Sequence, residues 1–264
     1  MTIKLNMIPS PDDSRDKDVA FQLNALGTIT IPKTLDYRKD LLPIRNQGEQ
    51  GACYAFSGAS MKEWQDKKEI GLDEYLSPQF FYNHRANLYD DDPTNDSGMY
   101  SRNVMKMLQT IGFCLERNYP YGTIESKENI DPELYEEAKN HLITSYARVN
   151  TIEDCKKSLV VNGPCLLTVP VYNQRERMWK RESNAQQRQG GHAMCIIGYN
   201  KEGFIVRNSW GTQWGDMGHC IFPYEDWGLH FEVWTTTDAK SVPVKRRNTR
   251  LARILARLLR RWLR

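Results

Sequence analysis

The sequence predicts an α+β fold of two lobes, helical first and strand-rich second. Two observations predict it. Apolar residues recur at three- and four-residue spacing, between helix start and stop signals, through the first half of the chain. From Cys165 onward they gather instead into short β-branched and aromatic runs: Cys165–Val171, Ala193–Ile197, Phe204–Arg207, His219–Phe222 and Phe231–Thr235. At 264 residues, 40% hydrophobic and 11% aromatic, the chain has enough apolar material for a substantial core.

In chain order, residues 1–30 form an N-terminal arm without clear period, and residues 31–45 an extended lead-in. A helix is expected from Ala52 or Cys53, just after Gly51, to about Lys68, with Gly71 beyond its end. Gly58 lies in its interior at a cost of ~1 kcal/mol relative to alanine, which predicts close packing there. Ser77-Pro78 places an N-cap before proline at the first helical position, opening a helix through Phe80, Phe81 and His84. Asp90-Asp91-Asp92-Pro93 reads as a loop. Val104, Met107, Leu108 and Ile111 mark a helix over about 101–111 that Gly112 ends. Asp131-Pro132 opens a short helix, and Thr151 to Asp154 resembles a capping box, with Asn162-Gly163 as the stop. The predicted organisation is an arm (1–30, read as an inhibitory segment), a folded body (31–240, helical lobe about 45–145, strand-rich lobe about 146–240) and a tail (241–264).

The charge is unevenly placed. Of a net +3, nine cations and no acid lie in residues 245–264, which leaves residues 1–244 at −6. In the tail, Leu251, Ile254, Leu255, Leu258, Leu259 and Trp262 fall on one side of a helical projection. Arg250, Arg253, Arg257, Arg260, Arg261 and Arg264 fall on the other. The expected partner of this basic amphipathic helix is an anionic membrane or a protein surface, ahead of the acidic body itself or nucleic acid. Residues 1–30 hold no apolar stretch of signal-peptide length, and no run of eighteen apolar residues occurs. Cys53, Cys114, Cys155, Cys165, Cys195 and Cys220 are scattered. The expectation is reduced thiols in a cytoplasmic, reducing compartment, with membrane or virion association through the tail. Neither paired Cys-x-x-Cys nor ligand-like histidine spacing is present, so no metal is expected, and no phosphate-cradling glycine loop suggests any cofactor.

One segment carries chemistry. Arg45-Asn46-Gln47-Gly48-Glu49-Gln50-Gly51-Ala52-Cys53-Tyr54-Ala55-Phe56-Ser57 delivers a cysteine to the first turn of a helix. There partial positive charge and free N–H groups favour a thiolate, the nucleophilic form. Taken alone, the segment reads better as a buried cysteine on a core helix. Gly190-Gly191-His192 follows 139 residues after Cys53, and Asn208-Ser209-Trp210-Gly211-Thr212-Gln213-Trp214-Gly215 follows with Asn208 at 155.

With these motifs the sequence resembles the papain family of cysteine peptidases over about Ile31 to Trp234, and its bacterial, archaeal and viral branch more than the lysosomal cathepsins. The resemblance implies a papain-like fold: a helical N-terminal lobe, a β-barrel-like C-terminal lobe and an active-site cleft between them. It implies Cys53 as nucleophile, His192 as base, Asn208 as the residue that orients His192, and Gln47 with the Cys53 amide as oxyanion hole. Trp210 would shield the Asn208–His192 bond, Trp214 would wall the leaving-group side, and Gly98 and Gly191 would bind substrate backbone. The implied activity is peptide-bond hydrolysis through a thiolate–imidazolium pair and an acyl-enzyme thioester, acting on a peptide or protein substrate. A papain-like transpeptidase or deamidase, or a non-catalytic binding protein on the same fold, are the alternatives. Two departures stand out: Gln50 occupies the position of the family's usual disulfide cysteine, and Tyr54 that of a tryptophan.

Overall fold

The computed structural model describes residues 3–85, 95–122 and 124–238. The Asp90–Pro93 loop and the tail from 239 onward lie outside the described residues.

The helical part contains α1 (Val19–Ala25), α2 (Cys53–Ile70), α3 (Pro78–Asn83), α4 (Ser101–Thr110), α5 (Pro132–Ala138) and α6 (Ile152–Asn162). The strands are β1 (Leu35–Asp36), β2 (Ser145–Arg148), β3 (Cys165–Val171), β4 (Gly190–Tyr199), β5 (Gly203–Arg207), β6 (His219–Pro223) and β7 (Glu232–Thr237). They form one antiparallel sheet in the order β2-β7-β3-β4-β5-β6, and β1 pairs with β4 beyond the end of β3. The alternation of α-rich and β-rich halves is the one the hydrophobic patterning predicts.

Local sequence explains most boundaries. Ser77 accepts a hydrogen bond from the Phe80 amide and Thr151 one from the Asp154 amide, as their N-cap positions require. Gly71 ends α2 in the left-handed region at φ 73°. Two elements run against expectation. The arm contains α1, capped by Asp18 and held by buried Val19 and Leu23, although Val19, Phe21 and Leu23 stand two apart and announce no helical period. Gly58 is not forced by tight packing: a methyl group there would meet the Phe113 ring at 3.4 Å, an ordinary contact.

α2 is the central helix. Every residue from Cys53 to Asp66 is buried, and the helix packs on β4, α3 and α4. A helix covered on all sides must pair its charges, because an unpaired buried ion costs several kcal/mol. It does so. Glu63 accepts from Arg45 at 2.7 Å and from the Leu76 amide at 3.0 Å. Lys62 lies between Asp66 at 2.8 Å and Asp238 at 2.6 Å, and Asp66 also meets His141 at 2.7 Å. β4, buried along nearly its whole length between β3 and β5, is the corresponding centre of the sheet. The first residue of α2 and the start of β4 meet, and that junction is the site.

Candidate active site

Cys53 is the first residue of α2. The helix has Ala52 at its N-cap and no side-chain capping bond. The first-turn amides that a cap would satisfy are therefore left to other acceptors. The backbone amides of Ala193 on β4, of Tyr54 and of Cys53 itself lie close enough to the Cys53 sulfur to favour its thiolate. The nearness of Ala193 also sets the thiol against the residue next to His192.

His192 is fixed by the sheet. β4 pairs it with Val169 of β3, and its Nε2 lies 2.7 Å from Asn208 Oδ1, just past the end of β5. Asn208 Oδ1 also accepts the Ser209 amide at 2.8 Å, and the Asn208 amide donates to Gly218 at 2.9 Å, which holds that carboxamide in place. The Trp210 ring covers the histidine at 4.4 Å between centroids and 32° between planes. Trp214 stands edge-on to Trp210 at 5.6 Å, is half-buried, and donates its indole N–H to Gln174. His192 Nδ1 is buried and has no hydrogen-bond partner among the described residues.

Gln47 joins the same cluster. Its Nε2 donates to the Gln50 carbonyl at 2.9 Å, and its Oε1 accepts from Ser209 Oγ at 2.6 Å. Its amide donates to the Ser209 carbonyl at 2.9 Å, and an antiparallel bridge joins Asn46 to Trp210. The segment before Cys53 is thus stitched to the segment after Asn208, and the four polar residues converge from three separate stretches of chain.

The papain family cysteine protease model matches residues 31–226. The chain belongs to that family. Among similar proteins, an uncharacterized peptidase C1-like protein of Acanthamoeba polyphaga mimivirus is 26% identical, over 86% of this chain and 84% of the viral protein. Mouse cathepsin K is 29% identical over 72% of this chain, but only 59% of its own length is covered. Among solved structures, xylellain, a cysteine protease from Xylella fastidiosa, superimposes with a TM-score of 0.75 at 24% identity, covering 89% of this chain and 96% of that one.

In this papain-family chain the remaining predicted residues, Gly98 and Gly191, stand on the two walls of the cleft, and the arm runs between them. The Met7 amide donates to Gly191 at 3.3 Å, the Gly191 amide to Leu5 at 3.2 Å, and the Ile8 amide to Met99 at 3.2 Å. Parallel bridges join Asn6 to Gly191 and Ile8 to Tyr100. Gly98, at φ 78°, lies so close to the arm that a methyl group would overlap the Asn6 carbonyl. At Gly191 one would meet the Met7 carbonyl at 2.6 Å and its sulfur at 3.2 Å. The arm therefore occupies the positions that the family resemblance assigns to substrate backbone.

Occupancy changes the electrostatics. Cys53 and His192 are both fully buried. Burial pushes the thiol up to about 12 against its three amide donors, with a small push in the same direction from the nearby Asp96 carboxylate. Burial also pulls the imidazole down to about 4 against the bond from Asn208. In the arm-bound form the pair is thiol and neutral imidazole, since desolvation disfavours both ions.

Sequence reasoning missed three contributors. Ser209, which holds the Gln47 carboxamide, lies within the quoted Asn-Ser-Trp run, and its hydroxyl was the available signal. Asp96 stands two residues before Gly98 in the Asp96-Ser97-Gly98 run that resembles the family, but nothing in the sequence gave its side chain a role. Its carboxylate accepts the Gly51 amide at 3.0 and 3.2 Å and the Tyr82 hydroxyl, and pairs with Lys4 at 2.8 Å. The arm's register gave no signal either, because it joins Asn6 to Gly191 and Ile8 to Tyr100, residues far apart in the sequence.

Proposed function

We propose that the chain is a cysteine peptidase in which Cys53, His192, Asn208 and Gln47 are the working residues and the arm is a built-in restraint. The observation that carries it is the His192 ring, held at Nε2 by Asn208 and unpartnered at Nδ1, beside a cysteine whose sulfur collects amide donors at an uncapped helix N-terminus. Nδ1 takes the thiol proton. The thiolate attacks the scissile carbonyl carbon, and the oxyanion is received by the Cys53 amide and the Gln47 carboxamide. Collapse breaks the C–N bond, the imidazolium passes its proton to the leaving amine, and a thioester remains. Water, deprotonated by His192, then releases the carboxylic acid and restores the thiol.

Activity requires the arm to leave, because backbone of residues 5–8 fills the cleft. Asp16 supports a clasp further along the arm. It pairs with Arg102 of α4 and Arg148 of β2, each at 2.7 Å, so it ties the arm to both halves of the fold. The basic amphipathic tail, with nine cations on a body at −6, supports attachment to an anionic membrane or a protein surface. Liposome co-sedimentation of the full chain and of a chain ending at Ser241 tests it: equal sedimentation of both refutes membrane attachment.

The test of the catalytic reading is labelling by an epoxide inhibitor of papain-like enzymes with mapping of the modified residue. Label on Cys53, with cleavage products that carry added water and are absent from Cys53→Ala, is the expected result. Label on Cys114 or Cys195, or cleavage by Cys53→Ala, refutes it. Products carrying an added amine acceptor would mark a transpeptidase.

A further inference from the structure

Asp96 holds its carboxylate in the cleft in an arrangement that does not serve the arm alone. Its side chain is 9% exposed. One side is satisfied by neutral donors, the Gly51 amide and the Tyr82 hydroxyl, which fix the carboxylate without cancelling its charge. The cation is supplied by Lys4 alone: among the described residues no other ion pair reaches Asp96. Arg85, which stacks over the ring of the same Tyr82, is spent on the Tyr82 and Asn95 carbonyls.

When the arm leaves, the Lys4 ammonium leaves with it. A shielded carboxylate is then left facing the cleft without a counter-charge, an arrangement that favours any cation able to replace Lys4. The position is defined along an extended peptide: Lys4 lies two residues before Asn6, whose carbonyl meets Gly98 and whose side chain donates to the Asp96 carbonyl. A substrate that takes the arm's place against Gly98 and Gly191 passes the same point. We propose that Asp96 is a specificity-determining residue of the cleft, taking the ammonium or guanidinium of a substrate lysine or arginine where Lys4 sits in the closed chain. This rests on the peptidase reading above and names its substrate class: extended peptides with a basic residue at one fixed position from the scissile bond.

The test is cleavage of quenched fluorescent peptide sets by the full chain, differing only in lysine, arginine, alanine or glutamate at each position in turn. One position should favour the basic residues over alanine by roughly tenfold in kcat/KM, between the value of an exposed ion pair and that of a buried one. In Asp96→Asn the ratio at that position should fall to about one, and in Asp96→Glu it should be kept. No basic preference in the wild-type chain, or the same ratio in wild type and Asp96→Asn, overturns the proposal. If nothing is cleaved by any of the three, even with Met7→Ala added to loosen the arm, the peptidase reading fails and binding to the same Met7→Ala proteins decides this one. Fluorescence anisotropy of a labelled lysine peptide and its alanine counterpart on the same proteins should show tighter binding of the lysine peptide, lost in Asp96→Asn. Equal binding of the two overturns it.

Discussion

Shortening Met7 to alanine removes the thioether of a side chain that is only 5% exposed and lies against Gly191, next to the candidate base. The other contacts of the arm's first stretch survive that change. Its backbone bonds to Gly191 and Met99 do not involve the side chain, and the Lys4–Asp96 pair, with Lys4 half exposed, contributes up to ~1 kcal/mol. Truncating a buried methionine costs about 2 kcal/mol at the lower end of the core range, which suits a site on a detachable segment. Arm closure should weaken by that amount, and the open fraction should rise roughly 30-fold. The assay is alkylation of Cys53 by iodoacetamide at pH 7, followed by peptide mapping. Because the sulfur is fully buried when the arm is in place, its reaction rate reports the open fraction. The rate in Met7→Ala should rise by about that factor, with kcat/KM on a short peptide rising in step. A change of less than twofold in a folded protein would refute the arm as the barrier. So would simultaneous labelling of the other five cysteines, all of them buried, since that reports global unfolding.

Acidification should open the arm as well. His192 titrates near 4 in the closed form against an ordinary value near 6.5, so the closed form takes up its proton later. Closure is therefore fully favoured above pH 6.5 and weakens as pH falls toward 4; faster amide exchange at Met7 and Ile8 than in β4 over that window checks it. Gln47→Ala should leave thiol labelling intact and lower kcat by ~10²–10³-fold, and an unchanged kcat removes the oxyanion role. Lys62→Ala leaves Asp66 and Asp238 facing a buried gap and should cost about 3–5 kcal/mol, read from the urea midpoint at constant slope.

Much of the helical order and all of the central strands are legible in the sequence, because caps and short β-branched runs are local signals. Ser77, Thr151 and Gly71 act within four residues of themselves. The four polar residues of the candidate site are legible for a different reason: Asn208 sits in a run too long to arise by chance, and Gln47, Cys53 and His192 stand at the spacing the family resemblance expects. What remained hidden depends on distant contacts. α1 carries two buried residues and no repeat, so it forms because a surface exists to receive it. β2 is a four-residue strand whose identity comes from pairing with β7. The arm's register follows from Gly98 and Gly191 leaving room for a backbone, which no pattern within residues 1–30 expresses.

The wall around the nucleophile is fastened without sulfur. Gln50, where the family resemblance expects a disulfide cysteine, donates to Gln79 at 3.1 Å and to the Gly122 carbonyl at 2.7 Å. The neighbouring Gly51 amide is held by Asp96, and none of the six cysteines is paired. A thiol enzyme is competent only while its sulfur is reduced, and in a disulfide-braced relative the reductant that preserves the nucleophile also threatens the brace. Here the two demands are uncoupled. Thiol concentrations high enough to keep Cys53 fully reduced leave every fastening of the cleft intact, so this scaffold has no redox ceiling on its own activation.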